Sequence, residues 1–454
     1  MKAKLSFKTK LFYGIGDMAA ASVNGAIGFL FTPFLLNVAG ISPFLLGWIF
    51  LIKQPWDAIN DPLMGQLSDR TESRFGRRKI WLIVATVPLA LLFVMSWLVP
   101  DVSIWGKFAY YLVMVVLLDT FYTMHNVPYA ALTAEMTDDY QERTQVNMFR
   151  FGFSLIGSLI STIVFVLITS GAADQQAAFF KAAWIITLVI IVTGFSPAFF
   201  TPENNPKIDR SVKRDSLIQS FKSVMQVRPF RHVILLLLFS GTAVAVVRGH
   251  IILYMQYWIR PTGANSILIL VVLLQLSAVI FLVFYGWLSK YLDKKVIYYI
   301  GGATWVVVFS LGFFVQQGQE LVVNLLAILG GSGVAVALLI PYSMLPDVVD
   351  YDELQNGERR EGVFYGFFLF IDKVVRGAGL AFLSFTLGWA GYQEAFDGVA
   401  AVTQPDAVLL TLRIFVSLIP AGLVLISFIF ASRYEITKEV HQDILHQLGK
   451  QVES

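Results

Sequence analysis

Apolar runs of about 20 residues follow one another along nearly the whole chain, each the length a helix needs to cross roughly 30 Å of hydrocarbon. With 56% apolar and only 14% charged residues, the chain is too greasy for a water-soluble globule, in which about a quarter of residues are charged. The runs are continuous rather than alternating, which argues against a β-barrel. In lipid each segment must satisfy its own backbone polar groups, and helices do so. The sequence therefore predicts an all-α membrane protein with twelve spans. They fall at about 12–37, 44–67, 80–99, 106–131, 147–170, 180–200, 231–258, 264–288, 296–316, 321–345, 362–391 and 407–432.

Basic residues collect in alternate connections. Lys2, Lys4, Lys8 and Lys10 precede the first span, and Arg70, Arg74, Arg77, Arg78 and Lys79 separate the second from the third. Lys207, Arg210, Lys213 and Arg214 lie in the middle loop, and Lys290, Lys294 and Lys295 follow the eighth span. The opposite loops hold few, such as Lys107, Lys181 and Arg260. By the positive-inside rule both termini are expected in the cytoplasm, which demands an even number of spans. The Met-Lys-Ala-Lys start has no apolar core followed by a small-residue cleavage site, so no removable leader is expected. A multi-pass protein of a bacterial plasma (inner) membrane, working as a monomer in the bilayer, is the expectation.

The chain also repeats itself. Gly65-Gln-Leu-Ser-Asp69 ends the second span and Gly286-Trp-Leu-Ser-Lys290 the eighth; Pro128-Tyr-Ala-Ala-Leu132 closes the fourth and Pro341-Tyr-Ser-Met-Leu345 the tenth. Two marker pairs six spans apart imply two homologous six-helix bundles, residues 1–200 and 231–432. A cytoplasmic middle loop, 201–230, joins them and a polar tail, 433–454, follows. Parallel halves of this kind are expected to bind substrate near the membrane midplane.

Against this apolar background, Lys53, Asp57, Asn60 and Asp61 stand inside the second span. A charge at bilayer depth costs at least ~2.5–3.5 kcal/mol, so a chain keeps such residues where they face a bundle interior or a wet cavity. Helical spacing puts 53, 57 and 61 on one stripe with Asn60 beside them. A stripe of acids and an amide inside a membrane has the makings of a cation site. Lys53, four residues before Asp57, has two readings. Either it stands in for an external cation, or it answers Asp119 in the fourth span and leaves a sodium site intact.

Gly65-x-Leu-x-Asp69-Arg70-x-x-x-Arg74-x-Gly76-Arg77-Arg78-Lys79 resembles the cytoplasmic loop signature of the major facilitator superfamily. Trp56-Asp-Ala-Ile-Asn-Asp-Pro62, Val127-Pro-Tyr-x-x-Leu132, Arg143, Arg150, Asp347-Val-Val-Asp-Tyr351 and Lys373 are similar to a narrower group. That group is the glycoside–pentoside–hexuronide cation symporters, the melibiose-permease-like branch. The resemblance runs from Tyr13 to at least Lys373. It implies two pseudo-symmetric six-helix bundles and cation-coupled symport by alternating access. It further implies a sodium ion or proton at Asp57, Asn60, Asp61 and Thr123, a coupling role for Lys373, and Arg150 at the cytoplasmic side of the cavity. A sodium ion wants hard oxygen ligands and net negative charge, which two carboxylates with amide and hydroxyl oxygens supply.

Departures from the pattern bear on the cargo. The family's sugar-gripping aspartate of the first span is Ala21 here, a second is Asn126, and two tryptophans near the sugar become Ala130 and Leu338. Melibiose itself is therefore not the expected substrate. With acids lost, Lys53, Arg150, Lys373 and Arg376 shift the balance toward positive. Lys373 and Arg376, three apart, share a helix face and would suit a carboxylate. The alternative is that Lys373 only neutralises Asp57 or Asp61 and that Arg376 pairs with Asp372 or snorkels. The expected cargo is a sugar, glycoside or hexuronide, an anionic sugar first and a neutral one second, with Asn126, Asp17 and Asp119 as further polar contacts. The alternative is a sodium-coupled lysolipid or other organic-anion transporter of the same fold. Lys53, Asp69, Arg70, Arg77, Asp347 and Asp350 are assigned to coupling and gating, with Asp347 and Asp350 expected to pair with the loop arginines between 70 and 78. Without cysteine, and with five scattered histidines, no nucleophile or metal set for an enzyme is in view. No cofactor beyond the coupling Na+ or H+, and no nucleic acid partner, is expected.

Overall fold

The computed structural model describes residues 5–136, 140–202, 217–263, 265–289, 291–357, 360–394 and 403–449. Among these are fourteen helices. The first six are α1 (Phe7–Asn37), α2 (Pro43–Arg70), α3 (Lys79–Met95), α4 (Ile104–Met136), α5 (Tyr140–Thr169) and α6 (Gln175–Phe200). A short α7 (Leu217–Gln226) leads into α8 (Arg228–Ile259), α9 (Ser266–Leu288), α10 (Lys294–Gly312), α11 (Glu320–Asn356), α12 (Glu361–Trp389) and α13 (Asp406–Ser432). A polar α14 (Lys438–Gln447) ends the described chain. The basic residues Lys2, Lys4, Lys207, Arg210, Lys213, Arg214 and Lys290 lie outside the described residues.

The twelve long helices coincide with the twelve expected spans, but they are not equally apolar. Nine are long and apolar enough by themselves to cross a membrane. The other three are α3, only 17 residues long, and α2 and α12. The last two carry the charges already singled out: Lys53, Asp57 and Asp61 on α2, and Asp372, Lys373 and Arg376 on α12. Several helices also overrun the span length, α11 by a wide margin at 37 residues, because helical hydrogen bonding continues past the apolar stretch.

Local chemistry sets the ends. Ser42 caps α2, its hydroxyl accepting from the Leu45 amide, and Pro43 follows at the first helical position, where its missing N–H costs nothing. Asp174 caps α6 by accepting from the Ala177 amide at 2.9 Å. Wide π turns occupy Ile27–Phe31 in α1, just before Pro33, and Met255–Ile259 at the end of α8. Prolines within α2, α4, α6 and α11 interrupt the backbone ladder, as membrane helices tolerate when neighbours re-satisfy the freed groups.

The chain divides into two compact units. One comprises Met1–Ser211, Gly263–Leu268 and Ser384–Pro405, and the other Val212–Thr262, Ile269–Leu383 and Asp406–Ser454. In the first, α1 packs on α5 and α6, α2 on α4, and α3 on α4 and α6. A buried aromatic cluster of Phe34, Phe93, Trp97, Phe165 and Phe179 fills one end, with Trp97 stacked on Phe179 at 5.5 Å. In the second unit α8 packs on α11 and α13, and α10 on both of those.

The contact of α1 with α5 is a backbone-to-backbone approach. A Cβ on Gly25 would stand 2.6 Å from the Ser158 carbonyl oxygen, and one on Gly157 2.8 Å from the Met18 backbone. The Ser22 hydroxyl donates to the Gly157 carbonyl at 3.2 Å in the same seam. Small residues of this kind let membrane helices close up where lipid supplies no hydrophobic drive. Gly157→Leu should therefore force the seam apart. It is expected to lower stability by about 1–3 kcal/mol, read as a fall in the thermal midpoint of the detergent-purified protein.

Candidate functional site

Within the first unit, α2 and α4 bring four charges together. Lys53 Nζ lies 2.7 Å from Asp119 Oδ1 and 3.4 Å from Asp57 Oδ2. One turn along, the Thr123 hydroxyl donates to Asp61 Oδ1 at 2.8 Å. Two further bonds fix the seam: Trp56 Nε1 donates to the Thr120 hydroxyl at 2.8 Å, and Asn60 Nδ2 to the Asp119 carbonyl at 3.3 Å. Asp57, Asn60, Asp119 and Thr123 are buried, and Asp61 and Lys53 half-buried. The i,i+4 stripe expected from spacing is thus present, and Lys53 answers Asp119 and Asp57 together.

The expected four-residue cation shell is only partly assembled. Asp61 and Thr123 meet, whereas Asp57 turns toward Lys53 and Asn60 spends its amide nitrogen on the α4 backbone. Among the described residues no trio of His, Cys, Asp or Glu converges as a multivalent metal centre would need. The donors fit a monovalent hard cation, being carboxylate and hydroxyl oxygens. Asp57, Asp61 and Thr123 would supply most of them.

Deeper in the same unit, Asp17 of α1 and Arg150 of α5 form an ion pair, Nε to Oδ1 at 3.2 Å. The Arg150 guanidinium also lies 5.2 Å from the centre of the Tyr129 ring, a favourable cation–π distance. Tyr13 and Tyr129 exchange hydrogen bonds with each other's backbone carbonyls at 3.0 and 2.7 Å, locking α1 to α4 beside the pair. His125 is fully buried against the Gly194 carbonyl at 3.2 Å, and Asn126 is half-buried next to it. Arg150, expected in the cavity, thus has an aspartate, Asp17, beside it.

The second unit shows the same pairing. Arg376 Nε lies 2.8 Å from Asp372 Oδ1 within α12, and the Tyr342 phenol of α11 donates to Asp372 Oδ2 at 3.2 Å. Arg376 therefore does not join Lys373 as a bare cation; its charge is met one helical turn away. Lys373, half-buried on the same helix, is one residue from Asp372. The i,i+4 spacing of Asp372 and Arg376 had offered this pair as an alternative; Tyr342 is the partner that sequence reading missed.

The gating acids have partners within their own unit. Asp347 accepts two bonds from Lys294 Nζ, at 2.8 and 2.6 Å, and lies 3.7 Å from His441 Nε2; that nitrogen is 3.1 Å from Asp350 Oδ2. The third acid of the run, Asp352, pairs with Arg360 at 2.6 Å. These contacts tie α10, α11 and α14 together inside the second unit. Burial, and then the Asp347 carboxylate, holds the Tyr434 phenol well above its ordinary range, so it stays a donor there. Arg70 is exposed at the end of α2, Arg77 is half-buried, and the buried Arg78 donates to the Ser68 hydroxyl at 3.1 Å. The side chains of Asp69 and Arg143 lie outside the described residues.

Twelve long helices, nine of them apolar enough by themselves to cross a membrane, with buried ion pairs inside each unit, define a multi-pass membrane transporter of the major facilitator fold. The chain belongs to the family described as MFS/sugar transport protein, whose profile matches residues 12–438. It is 33% identical to an uncharacterized symporter of Synechocystis sp., over 98% of this chain and 97% of that protein. It is 29% identical to sodium-dependent lysophosphatidylcholine symporter 1-A of Danio rerio, over 96% of this chain and 87% of that one. The inward-open xylose transporter XylE of E. coli aligns with a TM-score of 0.60 across 96% of this chain and 97% of its own, at 15% identity, a likeness of fold alone.

The α12 pair makes a direct prediction. Asp372→Asn leaves the Arg376 guanidinium without its carboxylate and is expected to cost about 3 kcal/mol, whereas Asp372→Asn combined with Arg376→Met should recover most of the loss. Thermal melting of the purified variants reads both.

Proposed function

We propose that the chain is a secondary active transporter that couples a monovalent cation, sodium first and a proton as the alternative, to symport of a sugar, glycoside or hexuronide by alternating access. One observation carries this reading: Asp57, Asp61 and Asp119 gather with Thr123 and Lys53 in a seam between two membrane helices. The carboxylate and hydroxyl oxygens beside Asp57 and Asp61 are the hard ligands a small monovalent cation takes. The names of the Synechocystis and Danio rerio relatives support symport, and the second supports sodium.

Cargo chemistry follows from the paired arginines. A guanidinium beside a carboxylate offers donors and acceptors together, which suits sugar hydroxyls that must both accept and donate. Asp17 with Arg150 in one unit, and Asp372 with Arg376 in the other, have this form, with Asn126 and Lys373 as further polar contacts. Lys373 supplies the positive charge a sugar acid would need. A lysolipid is the second reading. It is favoured by the name of the Danio rerio relative and by Ala21, Ala130 and Leu338, where apolar residues replace the family's sugar contacts. The loop charges support an orientation with both termini in the cytoplasm.

In proteoliposomes a sodium gradient should drive accumulation of the cargo, and Asp57→Cys or Asp61→Cys should abolish that accumulation while the protein still expresses. Wild-type accumulation in both variants would remove the site. Uptake of neutral and acidic sugars but not lysophosphatidylcholine supports the first reading; the reverse result installs the second.

A further inference from the structure

We propose that Lys53 is a tethered cation that competes with the coupling ion for Asp57, and that Asp119 is the position to which it withdraws. This rests on the cation site proposed above and assigns the residue that sets its affinity. Lys53 reaches both acids from one helix turn, and unequally: 2.7 Å to Asp119 and 3.4 Å to Asp57. Both carboxylates are nearly sealed, with side-chain exposures of 8% and 7%, while the Lys53 side chain keeps 22%. The ammonium, a compact charge on a flexible four-carbon stem, is the mobile member of the group.

The surrounding seam does not move with it. Trp56 bonded to Thr120 and Asn60 bonded to the Asp119 carbonyl hold α2 and α4 in register in the two turns that follow the lysine, around Asp57. With the backbone spacing fixed, a cation arriving beside Asp57 and Asp61 can be accommodated by a swing of one side chain toward Asp119. Without an ion, the ammonium shared between Asp57 and Asp119 screens their repulsion. The lysine therefore holds the empty site together and lowers its affinity for the ion, because binding must first displace it. Binding and displacement are one linked equilibrium.

Were Lys53 only the structural partner of Asp119, its removal would leave ion affinity unchanged. The test titrates the thermal midpoint of the purified protein with sodium chloride, holding ionic strength constant with choline chloride. Lys53→Met is expected to lower the half-saturating sodium concentration about tenfold, and Asp119→Asn to raise it by a similar factor, within the usual range of coupling between sites. Lys53→Met with Asp119→Asn removes one charge of each sign, which protects folding, and should also bind sodium several-fold more tightly than wild type. An unchanged or weaker affinity in that double variant, with wild type still stabilised by sodium, overturns the role of Lys53 and leaves the cation site standing. No sodium stabilisation in any of the four proteins overturns both.

Discussion

An ionised group inside a membrane helix survives only where its counter-charge lies within reach, and that requirement organises this molecule. Three ion pairs in the bundle interiors are closed inside one unit: Lys53 with Asp119 and Asp57, Arg150 with Asp17, and Arg376 with Asp372. Breaking such a pair leaves one charge stranded in low dielectric, which costs far more than the pair itself contributes. The pairs are therefore stable as units and responsive as sites, because a ligand that replaces one partner can exchange places with it. A transporter needs that combination of rigidity and exchange.

Much of this was legible in the sequence because the membrane is a severe filter. Apolar length gives spans, and the twelve long helices match the twelve apolar runs. A polar side chain inside such a run draws notice at once, so Asp57, Asn60, Asp61 and Lys53 could be placed on one stripe before any fold was known. What the sequence could not provide was partner choice across helices. Whether Lys53 served Asp57 or Asp119 depends on how α2 meets α4, a matter of a few ångströms set by packing and by the Trp56–Thr120 bond.

The arginines show the same limit. The i,i+4 spacing offered Asp372 as a partner for Arg376, and the two do pair; Asp17 lies 133 positions from Arg150, and no spacing pointed to that pair. Likewise Lys294 and His441 meet Asp347 through the packing of α10 and α14 on α11, partners that spacing did not suggest. Short-range pairs are written in spacing, and long-range pairs emerge from the fold.

The central claim is that the acids of α2 hold a small cation. Equilibrium binding of radioactive sodium to the purified protein tests it without knowledge of the cargo. Saturable binding of one ion per chain, competed by lithium and lost in Asp61→Asn, is the predicted result. Binding that fails to saturate, or that is indifferent to Asp61, would contradict it.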